Sequence, residues 1–145
     1  MDPAVNKQRI ISAVEAFNSG DLDAYLSSYA AEAVIHGLPP HLEPNLTGHR
    51  EYLTSVREGL PDFRATIDDI IAEADLVAVR MTYHGTHLGP LMDVAATGRQ
   101  VRWQAMTFRR CGADGLTVER WIQGDTLGLL TQLGLTLRPV PMRTP

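Results

Sequence analysis

One feature constrains the fold of this chain more than any other: its hydrophobic period changes at Pro61. Before it, apolar residues recur at helical spacing. Ile10, Val14 and Phe17 fall at i, i+4 and i+7, with Ala13 and Ala16 beside them, and Tyr52, Leu53, Val56 and Leu60 take one side of a later segment. After it, 63–74, 76–86, 99–110 and 115–123 read as four strands with turn signals between them. Ala72-Glu73-Ala74-Asp75 and Gly112-Ala113-Asp114-Gly115 read as hairpin turns. Helices are expected over 4–18, 21–30 and 49–60, a short strand over 33–36, and a proline-stiffened loop over 37–48. Residues 87–98 form a longer connection and 125–134 a closing helix that stops at Gly134. Helices followed by an antiparallel meander imply an α+β class, with helices packed on one face of a curved, mostly antiparallel sheet. Such a cone encloses a cavity, where ligand pockets form if the walls are apolar with a few polar groups.

Composition narrows the class. A chain of 145 residues, 44% hydrophobic and 21% charged, suits a single domain over 1–134, with a proline-containing tail over 135–145. The net charge of −4, with basic residues scattered, argues against a nucleic-acid partner. No apolar run approaches the roughly 20 residues that span a bilayer, so no membrane partner is expected. The lone Cys111 excludes an intrachain disulfide and suits a reducing, cytoplasmic location.

Three stretches are more specific. They are Gly85-Thr86-His87-Leu88-Gly89-Pro90, then Thr97-Gly98-Arg99, then Val118-Glu119-Arg120-Trp121 followed by Asp125-Thr126-Leu127-Gly128-Leu129-Leu130-Thr131-Gln132-Leu133-Gly134. In this order, with Phe17-Asn18-Ser19-Gly20-Asp21 near the start, the chain resembles the SnoaL-like polyketide cyclase (ester cyclase) family over about residues 8–134. The resemblance implies a cone-shaped α+β barrel of the nuclear transport factor 2-like, or cystatin-like, type. It implies an enzyme of secondary metabolism that needs no cofactor, is often a homodimer, and closes a ring on an aromatic polyketide ester by an intramolecular aldol reaction. In the founding cyclases the acid/base aspartate directly follows the position matched by Trp121. Here that position is Ile122, which transfers no proton, whereas Asp125 matches the family pattern.

Aldol-type chemistry removes a proton beside a carbonyl and later protonates an alkoxide, so it needs an acid/base group near neutrality. The candidates are Asp125, His36 and His84. Asp125 is equally a helix N-cap, a role in which N–H bonds would weaken it as a base. His36 ends the short strand and either borders the pocket or anchors the loop. Regular alternation over 76–84 puts Val77, Val79, Met81 and Tyr83 on one face and His84 on the other. His87 is a ligand-contact candidate or holds the turn around it. Trp103 and Trp121 would stack on a flat ligand or belong to the core. Arg120 and Ile122 share a strand face. If that face lines the pocket, Arg120 holds a carboxylate or carbonyl, or pairs with Asp68 or Asp69.

Metal binding finds little support. A catalytic site takes about three converging ligands; His84 and His87 are three apart but no regular helix places the pair, and His36, His41 and His49 lie in or near one loop. The expected function is a cofactor-independent cyclase or isomerase acting by general acid/base catalysis on a hydrophobic polyketide- or terpenoid-like carbonyl compound. The alternatives are a non-catalytic small-molecule-binding module and an enzyme of the epoxide-hydrolase type on the same fold.

Overall fold

The computed structural model describes residues 2–142. The elements run α1 (Pro3–Asn18), α2 (Leu22–Leu26), β1 (Tyr29–His36), α3 (Leu46–Gly59), β2 (Arg64–Glu73), β3 (Leu76–Thr86), β4 (Gln100–Cys111), β5 (Thr117–Gly124) and α4 (Thr126–Gln132). The five strands form one sheet in the order β1-β5-β4-β3-β2. β1 lies parallel to β5, and the other three pairings are antiparallel. The period change at Pro61 therefore marks where the chain leaves the helical layer and enters the meander, as the sequence implies.

Three boundaries move by three or four residues. The helix expected over 21–30 ends at Leu26, because the Ser27 and Ser28 hydroxyls bond back to the Ala24 and Tyr25 carbonyls and terminate it. Tyr29 then opens a strand of eight residues rather than four, which turns Tyr29, Ala33 and Ile35 into the core. The helix expected at residue 49 starts at Leu46, since Asn45 caps it by accepting from the Gly48 amide at 3.1 Å. Beyond α4, residues 135–142 carry no helix or strand and expose Leu137, Val140 and Met142. The last three residues of the expected tail lie outside the described ones.

Helix α1 packs on β2 and β3, α3 on β1, and α4 on β4. Where β5 ends at Gly124, the Gln132 side chain of α4 continues the ladder by bonding the Arg102 amide and carbonyl at 2.9 and 2.6 Å. Strand alternation puts Val77, Val79 and Met81 inside, with Val101, Trp103 and Ala105 on β4. The buried apolar residues fall into two clusters, one around Phe17, Leu60, Phe63 and Trp103 and one around Ile10, Val14, Val77 and Val79. Ile35 and Leu60 are completely buried, and truncating either to alanine would cost about 2–5 kcal/mol.

Candidate active site

A cavity opens where the two clusters meet, walled by Phe17, Leu53, Phe63, Val79, Met81 and Trp103 among others. About 100 Å³ of it admits the centre of a water molecule. Trp103 stacks on Phe63 with ring centroids 5.7 Å apart, and Tyr83 stacks on it at 5.3 Å, while Tyr83 and Trp103 are tilted 42° to each other, so the three rings form one aromatic cluster in the wall.

The polar groups of the cavity gather around Tyr25. Its hydroxyl lies 3.0 Å from the Tyr29 hydroxyl, 3.1 Å from His49 Nε2 and 3.4 Å from an Arg109 NH2 donor. Three local decisions bring these groups together. Asp21 caps α2 and sets Tyr25 inward, the early end of α2 puts Tyr29 at the head of β1, and the Asn45 cap places His49 in the first turn of α3. Arg109 also donates to Ser28 Oγ at 3.2 Å and Thr117 Oγ1 at 3.4 Å, and its guanidinium sits 4.4 Å from the centre of the Tyr29 ring.

Arg109 and Arg120 stand directly opposite each other on β4 and β5 and both point inward, only 3% and 4% exposed. Like charges so placed repel, and removing them from water costs several kcal/mol each unless they are compensated. The ion pairs among the described residues link His36 with Glu119, Arg50 with Asp23, Arg80 with Asp68 and Asp69, and Arg110 with Asp75; neither buried arginine takes part. Asp68 and Asp69, the acids considered for Arg120, thus serve Arg80, and Asp68 also accepts from Thr82 at 2.6 Å. Arg120 Nε has no hydrogen-bond partner, and the titratable groups its charge acts on are neutral ones, the Tyr25, Tyr29, Tyr52 and Tyr83 phenols and His49.

The two cations tune their neighbours. Burial alone would raise the Tyr25 phenol, but Arg120, Arg109 and the hydrogen bonds to Tyr29 and Arg109 outweigh it and hold the phenol below its ordinary value. Tyr29 is raised, because burial dominates there. Burial, then Arg120 and Arg109, hold His49 well below the usual imidazole range, so it is neutral, and its Nε2 is bonded to the Tyr25 hydroxyl. Its Nδ1 has no partner.

Of the residues singled out from sequence, Trp103, Tyr83, Arg120 and Ile122 line the cavity. The others do not. His36 and Trp121 are register partners on β1 and β5 and stack 5.2 Å apart on the outer face, where His36 also meets Glu119 at 2.7 Å. Alternation decides this: Trp121 lies between inward Arg120 and inward Ile122. His84 faces outward to Thr66 at 3.0 Å. His87 is fully buried but binds Thr97 through Nδ1 at 2.9 Å, tying down the turn before β4. Asp125 caps α4, accepting from the Gly128 amide at 2.9 Å, beside cavity-lining Gly124 and Thr126. Among the described residues no three His, Cys, Asp or Glu side chains converge as metal ligands would.

Sequence alone does not single out Tyr25, Tyr29 or Arg109 as site residues, and His49 enters only with the loop histidines weighed as metal ligands. Signals for two of them were present. Arg109 shares the parity of Trp103, and His49 stands at i−4 and i−7 from Leu53 and Val56, on the buried side of α3.

Comparison with known proteins gives this geometry its relatives. The family model described as SnoaL-like polyketide cyclase matches residues 8–133. AclR from Streptomyces galilaeus, a proposed hydroxylase, has a TM-score of 0.83 and 28% identity, covering 92% of this chain and 98% of that one. TsrD from Streptomyces laurentii has a TM-score of 0.79 and 29% identity, covering 92% and 98%. IdmH from Streptomyces antibioticus, a proposed polyketide cyclase, has a TM-score of 0.75 and 33% identity, covering 93% and 100%. No curated protein matches the chain.

Proposed function

Because the chain belongs to the SnoaL-like polyketide cyclase family, we propose that it closes or isomerises a ring on a hydrophobic, polyketide-like carbonyl compound by acid/base chemistry inside this cavity. The observation that carries the reading is the Tyr25 phenol, buried in an apolar chamber yet held below its ordinary pKa by two guanidinium groups. A phenol so poised exchanges a proton more readily than a free tyrosine.

In the proposed reaction Tyr25 first releases its own proton to solvent; the resulting phenolate then takes the proton beside a substrate carbonyl, breaking C–H and forming O–H. The electron pair moves into the carbonyl to give an enolate, which the substrate's conjugation delocalises without a cofactor. The enolate carbon attacks a second carbonyl, forming the ring C–C bond and an alkoxide, and Tyr25 returns its proton to that alkoxide. The positive charges of Arg109 and Arg120 on the cavity wall favour the oxyanion at both stages, a contribution worth most where water is excluded. Ile122, at the position of the founding cyclases' aspartate, then serves as cavity wall.

The test is Tyr25→Phe, assayed on a panel of aromatic polyketide carbonyl compounds, each as the free acid and as its ester, with the product followed by NMR. The variant should fold, keep KM, and lose kcat by roughly 10²-fold or more. Unchanged turnover would remove Tyr25 from the mechanism. Binding without turnover by the unaltered protein would favour the non-catalytic module. The epoxide-hydrolase alternative has less support, since the Asp68, Asp69 and Arg80 group lies outside the cavity. The proposal extends to assembly: the outer sheet face, where exposed Met106 and Phe108 sit with Trp121 beside Phe108, is taken to receive a second copy of the chain.

A further inference from the structure

The cavity wall holds more positive charge and more hydrogen-bond donors than its own residues answer. In the resting state, with Tyr25 protonated, Arg109 satisfies its donors on neutral hydroxyls and on tyrosine faces, none of which cancels a charge. Arg120, opposite it and wholly buried, leaves Nε without any partner, and His49 leaves Nδ1 without one. Both residues line the same cavity, and the orphaned Arg120 atom is a donor on a permanent cation. The acids nearest in sequence to the inward strand faces, Asp68, Asp69 and Glu119, are engaged outside by Arg80 and His36. An isolated buried cation is expensive, and a bidentate carboxylate is the partner that a guanidinium fork best accommodates.

We propose that the cavity's ligand is an organic acid, an apolar ring system bearing a carboxylate that lies against Arg120 while its rings pack along Trp103, Phe63 and Tyr83. This rests on the cavity being the substrate site, as the cyclase reading has it, and narrows the substrate to one that is anionic before any reaction. The ligand's charge replaces the missing internal counter-ion, and the unpartnered His49 Nδ1 lies on the same wall. An ester or amide of the same shape fills the apolar volume but leaves both arginines unneutralised.

The experiment is isothermal titration calorimetry of the whole chain at neutral pH with two probes of one shape, 2-naphthoate and the neutral 2-naphthamide. The acid should bind about tenfold tighter or more. In Arg120→Gln the acid should weaken to within about twofold of the amide, whose own affinity should hold. Ile122→Asp, which sets a carboxylate on the same strand face, should also abolish the preference. Equal affinities in the unaltered protein overturn the proposal and leave the cyclase reading standing, without needing any variant to fold. A preference that survives Arg120→Gln overturns the assignment to Arg120. If neither probe binds, the cavity as ligand site falls, and both readings fall with it.

Discussion

Asp125 and Tyr25 show how one residue's partners decide its chemistry. The Asp125 carboxylate is engaged by the Gly128 amide at the start of α4, and a Cβ at Gly128 would collide with that carboxylate. Asparagine offers the same acceptor, so Asp125→Asn should leave the melting temperature and kcat close to those of the unaltered protein. A loss of roughly 10²-fold in kcat in a folded variant would instead make Asp125 the proton donor. Tyr25 has the opposite character: it lines the cavity, and its shift comes from charges rather than from a cap. A spectrophotometric titration of phenolate absorbance should show one tyrosine ionising below its ordinary value of 10.0. That transition should vanish in Tyr25→Phe and move upward in Arg109→Met. Gly37 matters at this scale too. It has a φ of +94°, and a Cβ there would come within 2.6 Å of Ile122 Cγ2, so no larger residue fits beside that cavity wall.

At the scale of elements, α3 carries the clearest consequence. Its first turn holds His49 neutral in a place where the unfolded chain would protonate it. A base whose pKa falls on folding binds its proton more readily in the unfolded state. Stability is therefore full above about 6.5, the ordinary imidazole value, and is lost as pH falls from there toward the lowered folded value. The contribution has a slope of up to ~1.4 kcal/mol per pH unit within that window. His49→Gln keeps an acceptor for the Tyr25 hydroxyl but does not titrate. Urea midpoints measured at about pH 5 and pH 7 should differ less in the variant than in the unaltered protein. A difference of equal size in both would mean that His49 is solvated or paired when protonated. The connection between β3 and β4 shows an element held from inside: His87 binds Thr97, while the Leu88 and Gly89 amides both donate to the Gly59 carbonyl at the end of α3.

For the whole molecule, the sheet separates two environments. Its inner face holds the cavity and the two unpaired arginines, and its outer face carries paired charges with Met106, Phe108 and Val34 left exposed. If a second copy covers that outer face, sedimentation should give about twice the 16.0 kDa of one chain. Phe108→Glu should shift the protein to monomer while sparing the cavity, since Phe108 points away from it. A monomer in the unaltered protein would leave the outer face without its proposed occupant. No helix among the described residues is long and apolar enough to cross a membrane.

Period and turn chemistry act over a few residues, and on that range the sequence by itself determined most of the architecture. The switch at Pro61, the strand runs, the turn at Gly112–Gly115 and the stop at Gly134 all depend on local geometry. Alternation also told that Arg120 and Ile122 share a face. It did not tell which face was inside, because the answer depends on where the helices pack. The end of α2 lay between competing local signals, and the Ser27 and Ser28 back-bonds settled it. The site needed more. Tyr25, His49 and Arg109 come from three elements, with Tyr25 and Arg109 separated by 84 residues, and only packing puts their polar atoms within 3.4 Å. Each looks ordinary alone, an aromatic on a helix face, a histidine near a loop, an arginine in a strand. Their chemistry arises from being shut together in an apolar chamber, because charge acts strongly on neighbours only once tertiary structure has removed the water between them.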